Sequence, residues 1–253
     1  MTRFERRHFR TPAAWLLVAG LVCGSLGCSR TFVVRTRTTF DSSAAPSEDA
    51  LYVRQNAVAS EGAGRRLIFD FDTNTEISVD DLRKTYWVMT LDELREQVQT
   101  AKARYAAWFP EELRNVTPPP PTVTPTGRTR TIAGYSATEY AIAGNDVSGA
   151  VWVTGAFAMP PKLRTWERLH RAIPRLHGGP DFDAAADTVA GTPLRTVRTI
   201  TVEARSSTST TDVVDAGRGW APLGVFSVPS GYTRVPTPDL SRHLIRQDLE
   251  EDD

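Results

Sequence analysis

The sequence is short of the residues from which active sites are commonly built, with 4 histidines and 2 cysteines in 253 residues. Beyond His8, the histidines are His170, His177 and His243, and none stands in a Gly-x-Ser-x-Gly elbow or a His-Glu-x-x-His pair. No nucleophile has an activating neighbour in the sequence, so an enzyme is not expected. His170 and His177 have Pro174 between them and too few further ligands nearby to complete a metal shell. Neither a metal nor a cofactor is expected. A charge excess of one sign is missing too: 30 Lys+Arg balance 30 Asp+Glu, and such a sum gives nucleic acid no electrostatic footprint. An apolar run of about 20 residues, the length that spans a bilayer, is also absent.

The apolar run that does exist, Ala13 to Leu26, follows Arg3, Arg6, Arg7 and Arg10, which is the order of an export signal. Arg6-Arg7-His8-Phe9 resembles a twin-arginine signal, and a general-route signal with adjacent arginines fits it as well. Ser25-Leu26-Gly27-Cys28 resembles a bacterial lipoprotein box, with Ser25 standing where that pattern prefers leucine. The resemblance makes residues 1–27 a lipoprotein signal peptide and Cys28 the acylated N-terminus of the mature chain. Ser29, in place of aspartate, resembles lipoproteins sent on to the outer membrane. The expected location is therefore the cell envelope, as an outer-membrane lipoprotein facing the periplasm, with a soluble periplasmic or secreted protein as the alternative. Cys23 would leave with the signal, so the mature chain would have no disulfide and packing alone must hold it. Its formal charge would be near −3, after the loss of four arginines and one glutamate.

With 40% hydrophobic and 24% charged residues, the remainder reads as one ordinary globular domain. Thr31 to Phe40 alternates as a first strand, so residues 28–50 are read as tether, first strand and a polar loop over 41–50. Leu51 to Val58 offers a weaker strand, and Leu67–Phe71, Glu76–Val79 and Thr85–Thr90 continue an antiparallel meander. Thr90 and Glu93 form a capping box for a helix whose stripe is Leu91, Leu94, Val98, Ala101, Tyr105 and Trp108, stopped by Pro110. Thr117 to Pro125 is expected to run as polyproline. Thr131 to Thr154 reads as a hairpin at the centre of the sheet, turning at Gly144-Asn145-Asp146. Pro161 opens a second helix with Leu163, Trp166, Leu169 or His170, and Ile173 inward, ended by Pro174, and with a basic outer face, Lys162, Arg164, Arg168, Arg171 and Arg175. Strands follow over 193–202, 206–214 and 225–228, and residues 237–253 read as a polar tail. The domain proper is 51–236. The fold class is α+β, a curled antiparallel sheet or incomplete β-barrel packed on two amphipathic helices.

Three local patterns have a bland reading beside a functional one. Asp70-x-Asp72-x-Asn74 opens like a calcium loop but has Thr75 where glycine is required, and a hairpin turn explains it as well. The four prolines 118–121 form either a connector or a docking segment. The basic helix face is either solvated or placed to meet anionic headgroups.

Ile132-x-Gly134-Tyr135, Tyr140-x-Ile142 and Val151-Trp152-Val153-Thr154 are similar to a domain-of-unknown-function family of exported bacterial proteins. Tyr86-Trp87-Val88-Met89 ahead of a helix and Phe226-Ser227-Val228-Pro229-Ser230-Gly231-Tyr232 agree with it in order. That family looks distantly like lipoprotein carriers of the LolA/LolB type, which implies a curled sheet around an apolar cavity and binding rather than catalysis. Large side chains on both strand faces add Trp87, Met89, Tyr140 and Trp152, with Trp166 of the second helix, as expected ligand-binding residues for a lipid-like molecule. The expected partners are the membrane, through the lipid anchor, such a ligand, and an envelope protein. A structural or regulatory interaction module is the alternative function.

Overall fold

The structure is a computed structural model that describes residues 31–41, 45–108, 119–171, 182–202 and 205–239. The export signal, Cys28, Pro110 and most of the polar tail lie outside these residues. Alternation sets the first half of the fold. β1 (Thr31–Phe40) occupies the expected range, and β2 (Ser47–Arg54), β3 (Ala57–Gly62), β4 (Arg65–Asp70), β5 (Thr75–Asp80) and β6 (Thr85–Thr90) follow as a meander with turns of two or four residues. The strand expected over 51–58 is two strands, because Gln55-Asn56 turns the chain, and β2 begins at Ser47 inside the expected loop. At the next reversal Ala63 and Gly64 both have positive φ, 48° and 74°, the geometry of a tight hairpin turn matched to strand twist.

α1 (Leu91–Trp108) begins directly after β6. The Glu93 amide donates to Thr90 Oγ1 at 3.1 Å and the Thr90 amide donates to Glu93 Oε2 at 2.6 Å, so the capping box is closed in both directions. The chain continues through β7 (Thr122–Ile132), β8 (Tyr135–Ala143), β9 (Val147–Thr154), α2 (Pro161–Arg171), α3 (Phe182–Ala186), β10 (Thr192–Val202), β11 (Arg205–Gly219) and β12 (Thr233–Arg234). Thr122 to Pro125 therefore belongs to a strand and not to a polyproline connection. It is an edge strand, where the N–H that proline lacks is not needed by a neighbour, and its register breaks between Pro125 and Thr129. Residues 225–228 lie in a turn rather than a strand.

The twelve strands form one sheet in the order β12-β6-β5-β4-β3-β2-β1-β11-β10-β9-β8-β7, curled but unclosed. All pairs are antiparallel except β12 with β6. The 131–154 hairpin, expected at the centre, lies beside the β7 edge. The centre is instead β1, which pairs with β2 on one side and with β11 on the other, from Thr31↔Gly219 to Phe40↔Ser209. That pairing joins residues about 170–190 apart, so local alternation carries no trace of it. Register shifts at Arg35/Thr36 and Pro193/Arg195 mark bulges, which add twist to the sheet.

Apolar residues cover both faces. On one, Val58, Phe69 and Met89 pack with Leu94 and Val98 of α1 and Leu163 and Trp166 of α2. The same face runs on to β9, because Thr38 and Thr211 hydroxyls meet at 3.0 Å, Thr211 pairs with Thr196 and Thr196 pairs with Val151. There Val151 and Val153 pack against Phe182 and Ala185 of α3. The opposite face carries Val33, Tyr52, Ala59, Ile68 and Val79 and is covered by Ala221, Val225, Phe226, Val228 and Tyr232. The chain from 220 to 232 is thus a strap over the back of the sheet. Among the described residues no helix is long and apolar enough to cross a membrane.

Candidate functional site

Met89 and Trp166 are 0% and 1% exposed, and Trp166 meets the Phe69 ring at 5.3 Å between centroids. Trp87 packs on the rim of the same cluster. Tyr140 packs against the α3 cluster. Trp152 belongs to a fourth cluster with Val34, Leu194 and Val213. It also sits in a cross-strand row of alternating charge, Arg128, Glu139, Trp152, Arg195, Asp212, Arg37 and Glu48, and Arg130 covers its ring at 5.4 Å. The sequence-predicted ligand residues thus divide into three that come together and two that stand apart. Side chains of α1 and α2, Trp166 among them, fill the space in front of Met89.

Trp87 also lines an open groove of about 550 Å³ at the β6 edge. Strand register builds its floor: Arg65 pairs with Asp80 and Asp80 with Thr85, while Ser78 pairs with Trp87 one step along the same face. The chain after β12 builds its wall. The Val235 amide donates to Tyr86 O at 2.8 Å, Thr237 Oγ1 donates to Val88 O at 2.8 Å, and Gln97 Nε2 donates to Pro238 O at 3.2 Å. These bonds hold Pro236 and Pro238 along the groove. Residues 237–239, expected in the solvated tail, are therefore structural. Pro236-Thr237-Pro238 was the available signal, since alternating prolines keep a chain extended and suited to lie along a strand edge.

Arg65 and Arg83 bring two guanidinium groups to the groove and Asp80 one carboxylate. Asp80 Oδ1 accepts the Arg83 amide at 2.8 Å, and the Arg83 guanidinium lies 3.9 Å from Oδ2 with 79% of its side chain exposed. One net positive charge therefore stands beside an indole and two proline rings. Sequence reasoning missed both arginines, because an exposed arginine at a strand end is common and only the register places these two on one face.

The perturbed ionisable groups lie mostly elsewhere, under the strap. Arg66, a buried charge, donates to Asp81 through Nη2 at 2.9 Å and Nε at 3.3 Å, and through Nη1 to Gly224 O at 3.1 Å and Ser227 O at 3.4 Å. Tyr232 Oη donates to Asp81 Oδ1 at 2.9 Å. The Arg66 hydrogen bond holds the Asp81 carboxyl below the usual carboxylate range, and the Asp81 bond raises the Tyr232 phenol above its ordinary value. This clasp fixes the strap. The Asp70 and Asp72 carboxylates are likewise spent on the hairpin: Asp70 accepts the amides of Asp72 and Thr73, and Asp72 accepts from Asn56. Among the described residues no group of three His, Cys, Asp or Glu could hold a metal. The basic face of α2 is also engaged, with Lys162 donating to Phe71 O at 2.7 Å, Arg164 to Gly191 O at 3.0 Å, and Arg168 lying 3.6 Å from Asp187. The Arg171 side chain, Ile173, Pro174, Arg175, His177 and the His170 side chain lie outside the described residues.

Residues 52–232 match the family model described as a domain of unknown function, DUF4412. The chain belongs to this family. The DUF4412 match begins within β2 and ends at Tyr232, the clasp residue, so it leaves out the central strand β1. No curated protein matches the chain in sequence. Among solved structures it is similar to PNGF-II, with 14% identity, a TM-score of 0.39, and 86% of this chain and 33% of that chain covered. It is similar also to MucB, with 12% identity, a TM-score of 0.33, and 87% and 64% covered. The MucA/MucB complex of Pseudomonas aeruginosa gives 12%, 0.32, and 78% and 54%. The chain thus spans a third of the length of PNGF-II and just under two thirds of MucB.

Proposed function

We propose that this DUF4412 protein is a non-catalytic binding module of the bacterial cell envelope, tethered through an acylated Cys28. Its ligand is lipid-like and anionic, and it is taken in the open groove at the β6 edge. The observation that supports this is the groove itself, where Trp87, Pro236 and Pro238 offer apolar walls beside Arg65 and Arg83. An anionic head would meet the guanidinium pair, and a hydrocarbon segment would lie against the indole and proline rings. The perturbed polar groups of the clasp serve packing, which agrees with binding rather than catalysis.

The test is ligand-dependent thermal stability. Lysophosphatidylglycerol is expected to raise the midpoint with concentration, by mass action, and neutral lysophosphatidylcholine is expected to raise it far less. Arg65→Gln with Arg83→Gln should abolish that difference without lowering the ligand-free midpoint, because both side chains are at the surface. Equal shifts for the two lipids, or a shift kept by the double variant, would sink this reading. A second reading, an interaction module for an envelope protein, is favoured by β7, which among the described residues has no further strand on its outer side. Crosslinking from Thr124 or Thr129, followed by recovery of a stoichiometric protein, would support it.

A further inference from the structure

We propose that Trp220, with Arg218 beside it, is a membrane-contact surface that seats the Thr31 end of the sheet on a lipid bilayer. Trp220 is 71% and Leu223 106% exposed. Looseness does not explain this, because the same segment is pinned: Ala221 and Val225 pack into the back of the sheet, and Gly224 O accepts from Arg66. The inward positions are spent on packing while the tryptophan and leucine are held outward, against the cost of hydrating them. Arg218, also exposed, adds a cation beside the tryptophan.

Position identifies the occupant. Thr31 pairs with Gly219, so the start of β1 lies beside Trp220. Cys28 precedes Thr31 by three residues, and three peptide steps reach no further than about 11 Å. An acyl chain on Cys28 would bring the bilayer to this end of the sheet. An indole with an apolar body and a polar N–H suits the headgroup boundary, and arginine suits its anionic lipids. Leu82 provides the contrast. It is 82% exposed, yet it follows Asp80 at the far end of β5, because the Phe32 row runs through Val53, Val58, Phe69 and Glu76, and the Gly224–Arg66–Asp81 bonds draw the Leu223 end of the strap to that same side, away from Trp220. Exposure alone therefore does not mark the surface.

The inference rests on the anchor in the proposed function, and the experiment separates the two. The full chain is expressed in an exporting bacterium, recovered from membranes, and reconstituted in phosphatidylcholine–phosphatidylglycerol vesicles with brominated acyl chains. Trp220 emission, taken as the difference between wild type and Trp220→Phe, is expected to fall at least twofold with bromine near the headgroups. Arg218→Gln should weaken that quenching and Leu82→Ser should leave it unchanged. Unquenched Trp220 in protein that stays on the vesicles overturns the membrane surface and leaves the anchor standing. So does equal weakening by Leu82→Ser. Palmitate labelling of wild type against Cys28→Ser decides the anchor separately: label retained in Cys28→Ser overturns the anchor, and the proposal that depends on it falls with it.

Discussion

Replacing Asp81 with alanine should release the strap from the back of the sheet. The carboxylate receives two bonds from Arg66 and one from Tyr232, and its loss leaves the Arg66 guanidinium with the Gly224 and Ser227 carbonyls alone. Removing one partner of a buried pair costs about 3–5 kcal/mol. The Arg66 side chain is 10% and the Asp81 side chain 31% exposed, so water can partly replace the lost partner and about 2–3 kcal/mol is expected. Urea unfolding followed by tryptophan fluorescence would show this as a midpoint lowered by about 1 M, given a slope of about 2–3 kcal/mol per molar. Acid supplies an independent sign. The folded-state pKa of Asp81 is depressed, so its contribution is present above the unfolded value of about 3.9 and is lost as pH falls through the folded value. Wild type should therefore lose stability below about pH 4, and Asp81→Ala should lose less over the same window. A midpoint within about 0.2 M of wild type, or an unchanged acid slope in the variant, would refute the clasp as the fastener of the strap.

Three further outcomes follow from the packing. Thr90→Ala opens the capping box and should cost about 1 kcal/mol in urea unfolding. Trp166→Ala removes the largest fully buried side chain among the described residues and should cost about 3–5 kcal/mol, with loss of near-ultraviolet dichroism. Gly149→Ala should prevent normal pairing of β9 and β10, because a Cβ there would lie 1.9 Å from the Val197 carbonyl oxygen at a φ of 152°. Amide exchange in that strand pair should accelerate well ahead of β1 to β6.

Local physics made much of this fold legible. β1 and β6 take their expected ranges because each strand is regular, and α1 starts directly after β6, where the capping box places it. The open curled sheet with helices on one face agrees with the layout implied by the resemblance to lipoprotein carriers. What was illegible is non-local. The pairing of β1 with β11 sets the sheet's centre, and nothing at either strand names the other. The edge role of β7 was hidden because Pro125 argues against an inner strand and says nothing of an outer one. Four of the five expected ligand residues stand on strands with two apolar faces and the fifth, Trp166, on the apolar side of α2, yet a sheet packed on both sides needs large side chains on both for its core alone. The strap supplies that second layer, and its short turn-rich sequence has no period to announce it. The groove needed the register of three strands to bring Arg65, Asp80 and Thr85 into one row.

The most direct measurement of where this protein binds is the set of intermolecular NOEs between lysophosphatidylglycerol and the protein. Contacts from the acyl chain to the Trp87 indole and the Pro236 and Pro238 rings, with the headgroup near Arg65 and Arg83, are the predicted result. Acyl contacts to Met89 and Trp166, which would require the filled space between sheet and helices to open, would contradict it.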